Sequence, residues 1–412
     1  MLDDLEGKKT GRRIQIIRER KGMSRPVLAG LVGRSPEWLK GIESGRRLPP
    51  RLPMLVRLAE VLAVGDVAVL VGTDMDLGGA SIPVSSFARI PHEAVPAIRE
   101  AVRDPLLTVP DSPADLDMLR ARTAEAWHTW HTSPTHRTDV GRILPSLVTD
   151  VRAAARTAEG RERREANALL SDLWALVQHV IVWASEPEFL WVVADRAMAA
   201  AQEADDPLAL AGGAWTLAIV QRSGGDVDGA ITLVQDAAEL LRPYLEDGTD
   251  ELRAMYGALQ LHAATTAARA GREGDAWRYW DEGEAVARRL PRGYHHRWTM
   301  FGASNVELHA VSIGADLSKS ATAMERAERI NPDTIPSRER RARLMVEIAR
   351  AYYQRRDFTS SLHWLEEAYA ISHDSVHYSP TGRQMVSEIV DQGGALIDRR
   401  ARAFAERLGL PL

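Results

Sequence analysis

The chain has 412 residues, of which 45% are hydrophobic and 26% are charged, a composition typical of globular domains. A chain of this length is expected to form two or more domains. It contains no cysteine, which excludes disulfides, thiolate zinc sites and cysteine nucleophiles. No apolar run approaches the roughly 20 residues of a membrane span, and the polar N-terminus is unlike a signal peptide. These features predict a cytoplasmic protein that makes no contact with a membrane.

Charge is unevenly distributed along the chain. The net charge is −5, but residues 1–60 contain 14 Lys or Arg and 7 Asp or Glu, a net charge of +7, which leaves −12 for the remaining residues. A basic end on an acidic body is typical of proteins that hold nucleic acid at that end. The alternative is a solvated basic helix face, but the basic residues coincide with the motif described next.

Two short helices joined by a tight turn are predicted in residues 23–47. The first covers about 24–32, and Gly33 lies in the turn. Ser35 then caps the second helix, with Pro36 at its first position, where a missing N–H costs nothing. Apolar residues on one face of each helix would pack into a small core. The second helix would then project outward, as a helix that enters a DNA major groove must.

From residue 11 to about residue 71, the chain resembles the helix-turn-helix domain of the Cro and phage-repressor class, also called the xenobiotic response element family. The resemblance implies a small five-helix domain that binds double-stranded DNA, and a homodimer, because one such domain reads only half a site. The matching residues are Ile14, Ile17, Arg18, Gly22, Ser24, Leu28, Ala29, Gly33, Ser35, Ile42, Glu43, Gly45, Arg46, Arg47, Leu58, Ala59 and Leu62.

The resemblance also implies which residues contact DNA. Arg25 matches a phosphate-contacting position, and Arg18 with Glu43 matches an ion pair between the opening helix and the recognition helix. The remaining positions lie on or beside the recognition helix or in the loop that follows it. The predicted DNA-binding residues are Arg25, Arg34, Ser35, Pro36, Glu37, Trp38, Lys40, Arg46, Arg47 and Arg51.

Three positions on the recognition helix depart from the base-reading residues of the family. Pro36 and Gly41 offer no side-chain hydrogen bond, whereas the negative Glu37 suits a cytosine amino group and repels phosphate. Base reading is therefore expected to depend on Glu37, Trp38, Lys40 and DNA shape.

The rest of the chain is predicted to be helical after a linker. Residues 73–91 are rich in Gly, Ser, Asp and Pro, which is typical of linkers, and a short helix is predicted over 92–103. We therefore predict a DNA-binding domain over 1–72, a linker with a short helix over 73–111 and a helical-repeat domain over 112–412. Helical spacing recurs to the end of the chain, and no segment alternates like a strand. The predicted helices cover 114–131, 139–157, 161–184, 187–204, 207–223, 227–241, 250–270, 273–290, 298–313, 316–330, 337–355, 358–372, 382–392 and 395–408.

Alternate helices carry a repeated pattern of small, large and small residues. This pattern resembles the second helix of the tetratricopeptide repeat, although the spacings of 46, 44 and 41 residues exceed the usual ~34. We therefore predict an all-α protein with an α-solenoid body; an unrelated helical bundle is the alternative. The aligned residues are Ala230, Ala276, Ser320 and Ser361, then Val234, Trp280, Met324 and Leu365, then Ala237, Gly283, Ala327 and Ala368.

A solenoid of this kind would form a long groove lined by the first helix of each pair, suited to a peptide or small-molecule effector. For each individual residue, packing in the core is the alternative to ligand contact. The candidate lining residues are Trp174, Gln178, Trp215, Gln221, Tyr256, Gln260, Arg297, Asn305, Glu347 and Tyr353.

No pattern in the sequence indicates catalysis or a cofactor. His128, His131 and His136 have metal-like spacing but no nearby acidic ligand, so we expect packing and no metal. There is no phosphate-binding glycine loop and no nucleophile elbow. We predict a transcriptional regulator that is not an enzyme, with a scaffold that binds a partner protein through its repeats as the alternative.

Overall fold

The computed structural model describes residues 5–62, 64, 66–74, 90–108 and 115–410, without the side chains of Pro53 and Glu60. In these residues all regular elements are helical, so the predicted all-α class is confirmed. The chain divides into two compact units: the head, Met1–Ala88 with Arg402–Leu412, and the body, Arg89–Ala401. Residues 75–89 and 109–111 of the predicted linker, and residues 112–114 after it, lie outside the described residues.

Residues 5–74 of the head contain four α-helices in their described part, and a 3₁₀ turn, Val67–Val69, stands where a fifth α-helix was predicted. The Asp66 carboxylate accepts from the Ala68 N–H at 2.8 Å and caps the start of this turn. The head helices are α1 Thr10–Arg20, α2 Arg25–Leu31, α3 Pro36–Glu43 and α4 Leu52–Val61.

Local capping explains the turn between α2 and α3. The Ser35 hydroxyl accepts from the Trp38 N–H at 3.1 Å and caps α3. Gly33 takes a left-handed conformation with φ +68°, and the Arg34 N–H then returns to the Ala29 carbonyl at 2.8 Å. The predicted helix–turn–helix is therefore confirmed at the level of individual hydrogen bonds.

The head core requires α1 and α3 to approach closely. A Cβ added to Gly11 would lie 1.9 Å from the carbonyl oxygen of Ile42. Leu5, which precedes α1, is 3% exposed and belongs to this core. The Asp74 carboxylate accepts from both the N–H and the hydroxyl of Thr10 at 2.7 Å. The chain beyond the 3₁₀ turn is thereby hydrogen-bonded to the start of α1.

The body begins with α5, and the predicted helices are present with shifted ends. The segment predicted as helical from residue 298 begins only at Ala303, because Met300 adopts a left-handed conformation with φ 57° that a helix cannot continue through. The remaining helices are α5 Val95–Arg103, α6 Leu116–Thr132, α7 His136–Thr157, α8 Gly160–Ile181, α9 Pro187–Ala204, α10 Pro207–Ser223, α11 Val227–Leu241, α12 Asp250–Arg269, α13 Glu273–Ala287, α14 Ala303–Asp316, α15 Ser320–Glu328, α16 Arg338–Gln354, α17 Phe358–Ile371, α18 His373–His377, α19 Pro380–Gln392 and α20 Asp398–Arg407.

Four helix pairs of the body share one turn geometry. In each pair, one residue of the short connection between the helices is left-handed, with φ between 59° and 90°. The next residue is the N-cap of the second helix, and its N–H returns to the last turn of the first helix. These left-handed residues are Gly225, Gly271, Ser318 and Arg356.

The shared turn corrects one part of the predicted repeat alignment. Counted from the N-cap, the fourth residues of α11, α13 and α17 are Ala230, Ala276 and Ser361, and all are 0% exposed. In α15 the fourth residue is Ala323, also 0% exposed, whereas the predicted Ser320 is half-buried. The prediction was wrong by three residues there, because the left-handed turn residue before α15 is Ser318 and no glycine marks that turn.

The helices of the body pack in chain order, but the stack also closes on itself. The His131 ring contacts the Ser337 hydroxyl at 3.0 Å, and the backbone N–H of Arg137 donates to Asp374 at 2.8 Å. The start of the body, α6 and α7, therefore contacts α16 to α18. These contacts bound the inner surface on which the long groove was predicted.

Candidate nucleic-acid interface and ligand groove

One side of α3 presents polar side chains to solvent. Ser35, Glu37 and Lys40 are exposed, while Leu39 on the opposite side is 0% exposed. Trp38 is half-buried against the head core, and the Arg34 guanidinium lies 5.8 Å from the centre of its ring. The exposed side of α3 therefore has a cation, an anion and an indole edge at neighbouring positions. Pro36 is half-buried at the start of the helix.

The loop after α3 adds three exposed arginines, Arg46, Arg47 and Arg51. The stem of Arg47 lies across Gly41, where an added Cβ would be 2.9 Å from the Arg47 Cδ. Gly41, which the sequence indicated as a lost base-reading position, therefore makes room for a cation beside the recognition helix. Arg46 donates from Nε to the Ser44 hydroxyl at 3.1 Å.

Glu43 joins three helices at the base of this face. Its carboxylate accepts from Arg18 Nε and from Arg25 Nε, each at 2.6 Å. The predicted Arg18–Glu43 pair is confirmed, and this hydrogen bond raises the pKa of Arg18 above its ordinary value. Arg25, predicted to contact phosphate, keeps 34% of its side chain exposed while its Nε is held by Glu43. A positively charged group is thus fixed in direction beside α3.

Comparison with known proteins bears on the head. A family described as "Helix-turn-helix domain" matches residues 10–70. The N-terminal unit contains a helix-turn-helix domain. No curated protein matches the chain.

Two solved structures are similar at low levels. BtubC (BKLC) from P. vanneervenii is 16% identical, with a TM-score of 0.38, covering 61% of this chain and 90% of that one. Bacillus thuringiensis PlcR, solved in complex with the peptide PapR7 and DNA, is 11% identical, with a TM-score of 0.34, covering 87% of this chain and 98% of that one. No inference rests on similarities this low.

Several of the predicted ligand-lining residues lie inside the helix packing. Trp174, Gln178, Tyr256 and Gln260 are each at most 4% exposed, and Gln221 is half-buried. Gln178 donates to a backbone carbonyl of α10 at 2.8 Å, and Gln260 accepts from a side chain of α11 at 3.1 Å. These side chains connect neighbouring helices, and their role in ligand contact stays a prediction.

The other predicted ligand-lining residues lie in separate regions of the body. Arg297 forms ion pairs with carboxylates of α8 and α12 beside a cavity of about 400 Å³. Tyr353 donates to a carboxylate of α19, and Glu347 pairs with two arginines of its own helix. Trp215 and Asn305 are brought together, and both line an inner cavity of about 210 Å³.

This inner cavity is strongly cationic, which sequence reasoning missed. Its lining includes five arginines and a single carboxylate, that of Glu339. One available signal was the run of arginines in α16, on the inner helix of its pair. The lining arginines are Arg137, Arg222, Arg269, Arg340 and Arg343.

Histidines near the cavity are neutral at physiological pH. His179 stacks on Trp215 with ring centres 5.6 Å apart, and burial lowers its pKa to about 4. Burial likewise lowers the pKa of His131 and of His136 to about 3, whereas His128 is exposed. The three histidines with metal-like spacing do not form a metal-binding group, and no group of three or more potential metal ligands occurs within the described residues.

None of the described helices has the length and apolar character needed to cross a membrane.

Proposed function

We propose that the chain is a DNA-binding transcriptional regulator of the Cro and phage-repressor type, acting as a homodimer in the bacterial cytoplasm. The head binds an operator, and the body, built from tetratricopeptide-like repeats, senses a small-molecule effector and carries the dimer contact. The observation that supports DNA binding is the exposed side of α3, with Lys40 on the helix and Arg25 fixed beside it by Glu43.

The chemistry of this face suits a duplex with limited base reading. Cations of the loop after α3 would contact phosphates, which position the head without reading sequence. Lys40 and Glu37 are exposed on α3 and can meet base edges, a guanine and a cytosine amino group respectively. The small number of base-reading side chains on one head is consistent with a need for two heads bound to two half-sites.

A selection of genomic DNA fragments by the purified full-length protein, at two salt concentrations, tests the proposal. We expect an enriched sequence with two half-sites, whose binding weakens as salt rises. Lys40→Ala should abolish the enrichment, whereas Arg161→Ala on α8, which removes an equal charge from an exposed body residue, should leave it intact. Weak binding without sequence preference would reject the regulator and favour the scaffold, in which the repeats bind a partner protein.

A further inference from the structure

We propose that the inner cavity of the body binds a compact organic anion through Arg222, at the last turn of α10. The anionic group would be a carboxylate or a phosphate. The inference rests on the proposed function only in naming this anion as the effector. Binding of the anion does not depend on whether the head binds DNA.

Arg137 and Arg222 are the two cavity arginines without an ion pair in the described part of the chain, and Arg137 instead donates to the backbone carbonyls of His179 and Val180. The Nη1 of Arg222 donates to the Thr266 hydroxyl at 3.3 Å, and its Nε is buried without a partner. Burial, with the neighbouring positive Arg269, lowers the pKa of Arg222 well below its ordinary value. Arginine nevertheless stays protonated in proteins. This half-buried charge has no ion-paired carboxylate among the described residues, whereas charges removed from water are normally paired.

The neighbouring carboxylates are already engaged by other arginines. Asp316 pairs with Arg269 at 3.4 Å and with Arg350 at 2.6 Å. Glu347 pairs with Arg343 at 2.9 Å and also with Arg350. The protein therefore does not supply the missing negative charge, and a ligand that carries one would complete the site.

The wall beside Arg222 also has unpartnered polar atoms and aromatic rings. His262 is 5% exposed and lines the cavity, and its Nε2 has no hydrogen-bond partner in the described residues. The Oδ1 of Asn305 also has no hydrogen-bond partner in the described residues. Trp183 and Trp215 supply apolar surface. This combination suits an anionic group attached to a small apolar one.

The size of the cavity favours a compact ligand over a peptide of several residues. A volume of about 210 Å³ corresponds to roughly seven water molecules at about 30 Å³ each. Ser223 and Arg269 line the cavity and are exposed, so the cavity reaches solvent next to Arg222. A compact anion can therefore enter there without opening the body.

Thermal unfolding of the full chain tests the proposal with two probes, phenyl phosphate and succinate, against sodium chloride at equal ionic strength. Benzyl alcohol serves as the neutral control. We expect one or both anions to raise the melting temperature in a saturable manner, with a Kd that calorimetry measures directly. The two probes distinguish a phosphate from a carboxylate ligand. Absence of a saturable response to both anions would overturn the proposal.

Two arginine variants separate ligand binding from structure. Arg222→Met removes an unpaired charge, so we expect a higher melting temperature without ligand and at least a tenfold weaker Kd. Arg350→Met removes a guanidinium that pairs with Asp316 and Glu347, so we expect a lower melting temperature and an unchanged Kd. Arg222→Lys keeps the charge and should retain part of the response. An Arg222→Met protein that loses stability, or binds the anion as the parent does, would overturn the proposal even if Arg350→Met does not fold.

The result is independent of the operator experiment. Anion binding without operator binding would reject the regulator and leave the cavity assignment in place. Operator binding without any anion response would reject the cavity assignment alone.

Discussion

Two glycine substitutions in the head should change its stability in opposite directions. Gly11 lies where α1 and α3 come together, and an added methyl group would be 1.9 Å from the Ile42 carbonyl oxygen. Gly30 lies in α2 with no atom within 4 Å of an added Cβ. Each substitution by alanine adds one methyl group to a helix of the same small domain, so the pair isolates the effect of the close approach.

The magnitudes follow from these surroundings. Contacts below 3.0 Å are essentially never made by a Cβ, so Gly11→Ala must separate α1 from α3 by more than about 1 Å, and overpacking of this kind costs about 1–3 kcal/mol. Gly30→Ala instead gains about 0.5–1 kcal/mol, because alanine loses less backbone entropy in a helix. The recognition helix should therefore open more readily in the first variant and less readily in the second.

Hydrogen exchange of peptide fragments from the full-length protein measures this directly, because it reports on the head without requiring the body to unfold. We expect protection of α1 and α3 to fall roughly fivefold to 150-fold in Gly11→Ala and to rise in Gly30→Ala. Unchanged exchange in Gly11→Ala would refute the argument that backbone contact between α1 and α3 sets the position of the recognition helix.

Three further predictions concern the body and the DNA-binding face. Ser318→Gly should raise the stability of the body by about 0.5–1 kcal/mol in urea unfolding, because Ser318 has a left-handed φ of 59° that glycine adopts without strain. The pKa of His179 is lowered to about 4, so from pH 6.5 down to 4 this group binds more protons in the unfolded chain than in the folded one. Its own contribution to the free energy of unfolding should therefore fall as the pH is lowered through that window, by up to about 1.4 kcal/mol per pH unit, in addition to the contributions of the other buried histidines. His179→Gln should reduce that slope, whereas His363→Gln, at an exposed position, should not. Arg46→Ala, at an exposed position in the loop after α3, should reduce the slope of log affinity against log salt by about one, because it removes one phosphate contact.

Sequence patterns predicted the head well because its structure depends on local chemistry. The turn after α2 requires a left-handed glycine at Gly33 and a capping hydroxyl at Ser35, and both signals lie within a few residues of the elements they define. The role of Gly41 was not visible in the same way. It depends on the Arg47 stem lying across the helix, which spacing along the chain does not reveal.

The body was predicted at the level of its helices and less well at the level of its inner surface. Helix periodicity gave the elements, and the glycines at Gly225 and Gly271 marked two of the four turns. Closure of the body depends on pairs such as Arg137 with Asp374, which are 237 residues apart, and no local pattern connects them. Arginines that would be read as a solvated helix face therefore lie around an inner cavity.

Closure of the body provides a mechanism by which the proposed effector can act. The cavity takes Arg137 from α7 and Arg340 from α16, the two sides that meet where the stack closes. A ligand changes a conformational equilibrium only if it binds one state more tightly than the other. An anion held near Arg222 is surrounded by both sides in the closed state and would lose one of them if α7 separated from α16. Its binding would therefore favour the closed state, and the strength of that preference would set how far the anion can alter the regulator.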